Sequence, residues 1–276
     1  MTQEKEMTFL DHLEELRWHL VRSVVAILVG GVIAFMFPHI LFDVIVFGPT
    51  SSDFITYRLL CRLADAISLP ALCLGKLPFS EFASIQMASQ FTWHIWASLI
   101  AGFIVAFPYV AWEIWRFIKP ALHEGEQKKI TGIVIYISLL FLSGIAFGYF
   151  LLAPLTVNFL GNYDVMGKVV NQPVFTSYIS TILMVVLGCG ILFELPVFIY
   201  FLAKIGIVSP EFLKKYRRHA IIIILLLSAI ITPPDIASQV LVAIPLGFLY
   251  EVSIMIARRV YKKPPVSDEV APNQKL

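Results

Sequence analysis

Long apolar runs separated by short polar stretches set the outline of this chain. Six runs stand out, at about 21–47, 91–118, 128–155, 176–203, 217–232 and 236–257, and a membrane-spanning helix needs about 20 mostly apolar residues. The first four exceed that length. The fifth does not: HAIIIILLLSAIIT, His219 to Thr232, extends only about 21 Å at 1.5 Å per residue. Pro233 and Pro234, followed by Asp235, stop it, because proline removes a backbone donor and restricts the residue before it. The sixth run restarts at once. The last two segments are therefore expected as a tight hairpin, either spanning a locally thinned bilayer or re-entering without crossing.

Between and around these runs the pattern changes. Residues 1–20 carry an apolar stripe at helical spacing, Phe9, Leu13, Leu16 and Leu20, which predicts a cytoplasmic amphipathic helix leading into the first span. The stretch 48–90 is the longest polar interval. It contains FITYRLLCRLADAI, whose Ile55, Leu59, Leu63 and Ile67 also recur at helical spacing, so an extracytoplasmic cap of short helices is expected there. Residues 260–276 are polar and proline-bearing and are expected to be a disordered cytoplasmic tail. The membrane domain, 21–259, is expected as a single unit, and no internal repeat is evident.

Composition agrees with this outline. The 276 residues are 58% hydrophobic and 14% charged, where soluble domains carry about 25% charged residues. The chain reads as an all-α integral membrane protein. Its start is long and acidic, unlike the short basic start of a secretory signal, so the first apolar run is expected as a retained anchor. Charge distribution orients the spans. With six crossings, all but Arg58, Arg62, Lys76 and Lys168 of the 21 Lys and Arg fall on the side of the termini. The positive-inside rule then places both termini in the cytoplasm. Cys61 and Cys73 share the outer loop and either form a disulfide or remain two thiols, while Cys189 lies within a span.

Three groups of polar residues carry the chemistry. The entry helix presents Asp11, Glu14 and Glu15, with Arg17, where cytoplasmic interfacial helices usually present Lys and Arg to anionic lipid. These are either solvated charges or an acidic patch for a basic ligand. A second acidic pair, Glu124 and Glu126, lies in RFIKPALHEGEQKK. It is either balanced by Lys128 and Lys129 or able to accept guanidinium groups as bidentate, charge-assisted bonds. The third is Glu194, in the middle of LGCGILFELPVFIYF. Placing a charge there costs roughly 2.5–3.5 kcal/mol on insertion scales. Pro196, two residues on, removes the hydrogen bond to the Leu192 carbonyl and predicts a kink. Glu194, with Gln239 and Asp235, is either a structural hydrogen-bond cluster or a site for a partner helix or polar substrate.

Enzyme signatures are absent: the sequence has no HExxH, GxSG, GxGD or GxxxxGK[ST]. No cofactor or metal is expected.

Several ordered pieces resemble the twin-arginine translocase TatC family. They are HLEELR at 12–17, FPYVAWEIWRFIKPAL at 107–122, FGYFLLAPL at 147–155, FELPV at 193–197 and ITPPDIASQVLVAIPLGFLYE at 231–251. The resemblance runs from about residue 8 to 259. It implies six helices, both termini cytoplasmic, in a concave glove-like fold with short fifth and sixth helices, in the bacterial plasma membrane. It implies that Glu15 and Glu126, with Arg17, Phe117 and Glu124 in the same region, meet the paired arginines of signal peptides on folded cargo. Glu194 and Gln239 match polar groups of the concave face where single-span TatA/TatB-type subunits dock, in a complex that uses the proton-motive force. Pro49, Tyr149 and Asp235 fall at positions that affect activity. The expected role is thus a receptor and scaffold for protein export, in a homo-oligomeric complex, with Glu194 protonated or bonded to Gln239. The alternative is a proton-coupled small-molecule transporter using Glu194 and Asp235.

Overall fold

The computed structural model describes residues 9–51, 53–67, 73, 81–118, 130–163, 172–232 and 236–261, and of residues 9–12, 63, 67, 130, 131 and 236–238 the backbone only. The described chain is helical apart from one isolated parallel bridge, Ala83 to Val174. In order, its helices are α1 (Phe9–Met36), α2 (Ile55–Ile67), α3 (Ser89–Ile118), α4 (Ile130–Phe147), α5 (Ala153–Asn162), α6 (Phe175–Phe193), α7 (Leu195–Lys204), α8 (Pro210–Lys215), α9 (Arg217–Ile231) and α10 (Ile236–Val260). α1 runs unbroken through the boundary at residue 20, so the amphipathic entry and the first apolar run are one helix.

Among the described residues, five stretches are long and apolar enough to cross a bilayer: Leu13–Met36, Ser89–Ile118, Gly132–Asn162, Phe175–Lys204 and Gln239–Val260. α9, with 15 residues, falls short of that length. The last helix corrects the expectation of two short helices. It has 25 residues, because after Asp235 nothing stops it before its end. Pro245 is accommodated inside it, and Arg258 and Arg259 fill its last turn, where cations favour the negative end of the helix dipole.

Prolines shape the other rods. A π-helical turn, Gly148–Leu152, joins α4 to α5. Pro154 has no N–H for the carbonyl of Phe150 four residues earlier. That carbonyl accepts instead from the hydroxyl of Thr56 on α2. The next residue of α2, Tyr57, donates to the carbonyls of Pro49 and Pro154 at 3.0 Å each. The break in one rod is thus the seat of the helix that caps it. α2 docks through Thr56, Tyr57 and Ala64, while Ile55 and Leu59 turn outward, so these two residues of the apolar stripe read from the sequence do not face the bundle. Cys61 and Cys73 are joined in a disulfide.

Two further tyrosines fasten the same capped end. Tyr178 donates to Val46 O at 2.6 Å, and Tyr149 to Ile45 O at 2.9 Å. Around them packs a core of Leu41, Val46, Ala153, Val157, Phe175 and Ile179. A second core joins α6 and α7 to α8–α10 through Ile199, Ala203, Leu213, Val242, Leu246 and Ile254. Gly206, at φ +79°, makes the turn after α7 in a conformation that side chains disfavour. Ser209 caps α8 by accepting from Phe212 N–H at 3.1 Å.

Candidate functional site

Glu15, His19, Arg22 and Ser23 follow one another at helical spacing on α1 and share the face that meets α3. His19 and Ser23 are buried there, with Ser23 Oγ bonding back to His19 O at 2.9 Å. From α3 comes Glu113, whose side chain is almost wholly buried. A lone carboxylate in that position would cost several kcal/mol, but this one is closely partnered. His19 Nδ1 bonds to Oε2, Tyr109 Oη donates to Oε1 at 2.8 Å, and Arg22 Nη1 stands 4.0 Å from Oε2.

A carboxylate only accepts, so Nδ1 of His19 carries the proton of that bond. The other ring nitrogen, Nε2, then faces Glu15 Oε1 at 3.9 Å. The imidazole stands between two carboxylates, one deep and one at the rim. Glu15 Oε2 is also shielded from solvent and has no hydrogen-bond partner among the described residues. Phe117, one turn beyond Glu113, sets its ring edge-on to His19 with centroids 6.1 Å apart. The structure therefore brings Glu15 and Phe117 together, with His19 and Glu113 between. Arg17 is exposed; two residues along a helix turn it about 200° from Glu15. Glu124 and Glu126 lie outside the described residues.

Glu194 occupies the single-residue break between α6 and α7. Its carbonyl accepts from Val197 and Phe198 N–H at 3.0 Å each, and Pro196 is buried in the first turn of α7. Both carboxylate oxygens are buried without a hydrogen-bond partner among the described residues. A pocket of about 150 Å³ opens beside it, lined by Gly132, Ile133, Tyr136, Pro196, Val197, Tyr200 and Ile256. Of the two states expected for Glu194, protonated or bonded to Gln239, the bond is not formed. Gln239 Nε2 instead donates to Leu225 O at 3.1 Å, tying α10 to α9. The physical reason is proximity: the hairpin places the amide beside α9. Tyr149 and the buried Pro49 belong to the capped end and not to the surroundings of Glu194. Pro233, Pro234 and Asp235 lie outside the described residues.

His19 and Glu113 were not singled out from the sequence. Glu113 carries the signal that marked Glu194, a carboxylate inside an otherwise apolar run, FPYVAWEIW. His19 was legible only as the residue four places after Glu15.

Residues 11–245 match the family model described as Sec-independent protein translocase protein (TatC). The chain is 42% identical over 262 residues to the TatC of Blattabacterium sp. subsp. Periplaneta americana (strain BPLAN), covering 95% of this chain and 98% of that one. It is 35% identical over 264 residues to the TatC of Carboxydothermus hydrogenoformans, covering 95% and 97%. A crystal structure described as twin arginine translocase receptor TatC in DDM superposes with a TM-score of 0.70. That chain is 34% identical and is aligned over 89% of this chain and 99% of its own length.

Proposed function

This chain belongs to the Sec-independent protein translocase (TatC) family, and from that membership we propose that it is the signal receptor of a protein-export complex. The family is a translocase component of the membrane, not an enzyme. In this reading a signal peptide with paired arginines meets the carboxylates of Glu15 and Glu126, with Glu124 and Arg17 nearby and Phe117 beside the apolar part of the peptide. The observation that carries the reading is Glu15 itself: one oxygen faces His19, while the other is shielded and has no partner among the described residues. A guanidinium supplies two parallel donors to such a group and an ammonium only a point charge, so arginine is favoured over lysine.

The same reading has six crossings, with α9 as the short fifth, both termini cytoplasmic, in a bacterial plasma membrane. The basic residues on the terminal side support this orientation. So does the disulfide in the opposite loop, which suits an oxidising compartment. Single-span partner subunits are proposed to dock against Glu194, whose buried carboxylate, without a hydrogen-bond partner by geometry among the described residues, offers an acceptor at membrane depth. The proton-motive force drives transport in this scheme.

Binding of a labelled twin-arginine signal peptide to the purified protein in detergent tests the receptor role. Wild type should bind it at least tenfold tighter than a Lys-Lys peptide, and Glu15→Ala/Glu126→Ala should lose that preference. Equal binding of both peptides, or none, would remove the receptor reading. Substrate flux through proteoliposomes holding this chain alone would instead favour a proton-coupled transporter.

A further inference from the structure

We infer that Glu113 and His19 are positioning residues of the arginine-accepting site, acting through Glu15. The inference rests on the receptor reading above and concerns how its carboxylate is held. Four observations lead to it. Glu113 is buried and uses both oxygens, on His19 and on Tyr109. His19 is buried too, and the bond at Nδ1 fixes its ring plane. The fixed ring presents Nε2 to Glu15 Oε1 at 3.9 Å. Finally, Glu15 Oε2 is shielded but unpartnered among the described residues.

Without the imidazole, Glu15 would be a half-exposed carboxylate on a long, freely rotating side chain. Its two oxygens would sample many directions, and each arriving guanidinium would have to order them, at a cost typical of an immobilised side chain. The buried pair removes that freedom in advance. It sets a fixed ring against Oε1 at 3.9 Å and leaves Oε2 without a partner among the described residues, so the carboxylate keeps the capacity to take the paired donors of a guanidinium, which an ammonium does not match. The anchoring carboxylate comes from a different helix, 94 residues away, so α1 and α3 must be packed before the site is formed. Phe117, in the last turn of α3, stands edge-on to the same ring.

The test is a double-mutant cycle on the full-length protein in detergent, read by binding of a labelled twin-arginine signal peptide. Glu113→Gln and His19→Phe are each made in wild-type and Glu15→Gln backgrounds; the glutamine at 15 keeps an acceptor oxygen, so weak binding stays measurable. Each single variant should bind the peptide about tenfold more weakly and narrow its Arg-over-Lys preference. In the Glu15→Gln background the same changes should cost nothing further. Equal losses in both backgrounds would show a merely structural role and overturn the inference, as would unchanged affinity in the wild-type background. A second readout needs no variant of the pair: with ¹⁵N-labelled histidine, the His19 Nε2 resonance should shift when the peptide binds, and a resonance indifferent to peptide would also overturn it. If wild type shows no dependence on Glu15 at all, the receptor reading itself fails; dependence on Glu15 without dependence on Glu113 or His19 defeats only this inference.

Discussion

Gly102→Ala is the most direct challenge to how the site is assembled. At this residue α3 passes against Gly30 and Gly31 of α1. A Cβ on Gly102 would run into the Gly31 nitrogen and stand 2.7 Å from the Ile27 oxygen and 2.8 Å from the Gly30 carbonyl carbon. All three are backbone atoms, so no rotamer change relieves the contact. Restoring an ordinary separation of about 3.5 Å requires the two helices to part by roughly 1 Å. Lipid supplies no hydrophobic drive to hold them together, and close packing of small residues is what does. A gap of that size forfeits a quarter to a half of the dispersion energy of each contact it opens, and overpacking of this kind costs about 1–3 kcal/mol. The exchange also gains up to about 1 kcal/mol of helix propensity.

Gly132→Ala is the matched control, since nothing lies within 4 Å of its Cβ position. It collects the propensity gain without the clash. The two variants should therefore differ by about 2 kcal/mol in unfolding free energy, roughly a 30-fold change in the equilibrium. Denaturation of both proteins in the same mixed micelles, followed by tryptophan fluorescence, measures that difference. The parted helices should also weaken signal-peptide binding, because the same crossing aligns His19 with Glu113. Equal stabilities for the two variants would refute the reasoning, and with it the claim that glycine-to-glycine contact sets the α1–α3 spacing.

Two other substitutions probe the remaining elements. Glu194→Ala should leave signal-peptide affinity within about twofold and impair co-purification of the single-span partners and transport, since its shielded carboxylate faces neither Glu15 nor Glu113; lost signal binding with normal partner assembly would count against that division of labour. Thr56→Val should strand the Phe150 carbonyl that Pro154 leaves free, at a cost of about 1–3 kcal/mol, seen as faster amide exchange in α2 with α1 and α3 unchanged. Exchange in α2 that stays at the wild-type rate would remove the proposed link between the proline break and the cap. The cap has an alkaline limit as well. Burial pushes the Tyr57 hydroxyl up to about 12 from 10.0. A group whose folded value is raised contributes stability fully below the unfolded value and loses it as pH climbs to the folded one. The cap should therefore loosen between about pH 10 and 12, and Tyr57→Phe should be less stable at neutral pH but flatter across that window.

By itself the sequence determined that the chain is helical, where its long apolar runs lie and that Glu194 is out of place within one of them, although the first helix ends at Met36 and not near 47. Each of these is local. An apolar run closes its own backbone hydrogen bonds, a proline frees a carbonyl four residues back, and Glu194 stands out against Phe193 and Leu195 with no partner needed to notice it. The tertiary structure decided everything that depends on which face meets which. His19 and Glu113 meet across 94 residues. Gln239 turns to Leu225 and away from Glu194. Three tyrosines of different helices close on the carbonyls of residues 45, 46 and 49, and α2 buries Thr56 and Tyr57 while its Ile55 and Leu59 face out. In water an apolar stripe marks the buried face of a helix. In lipid both faces are apolar, so the periodicity that would point to the contact is erased and only packing restores it.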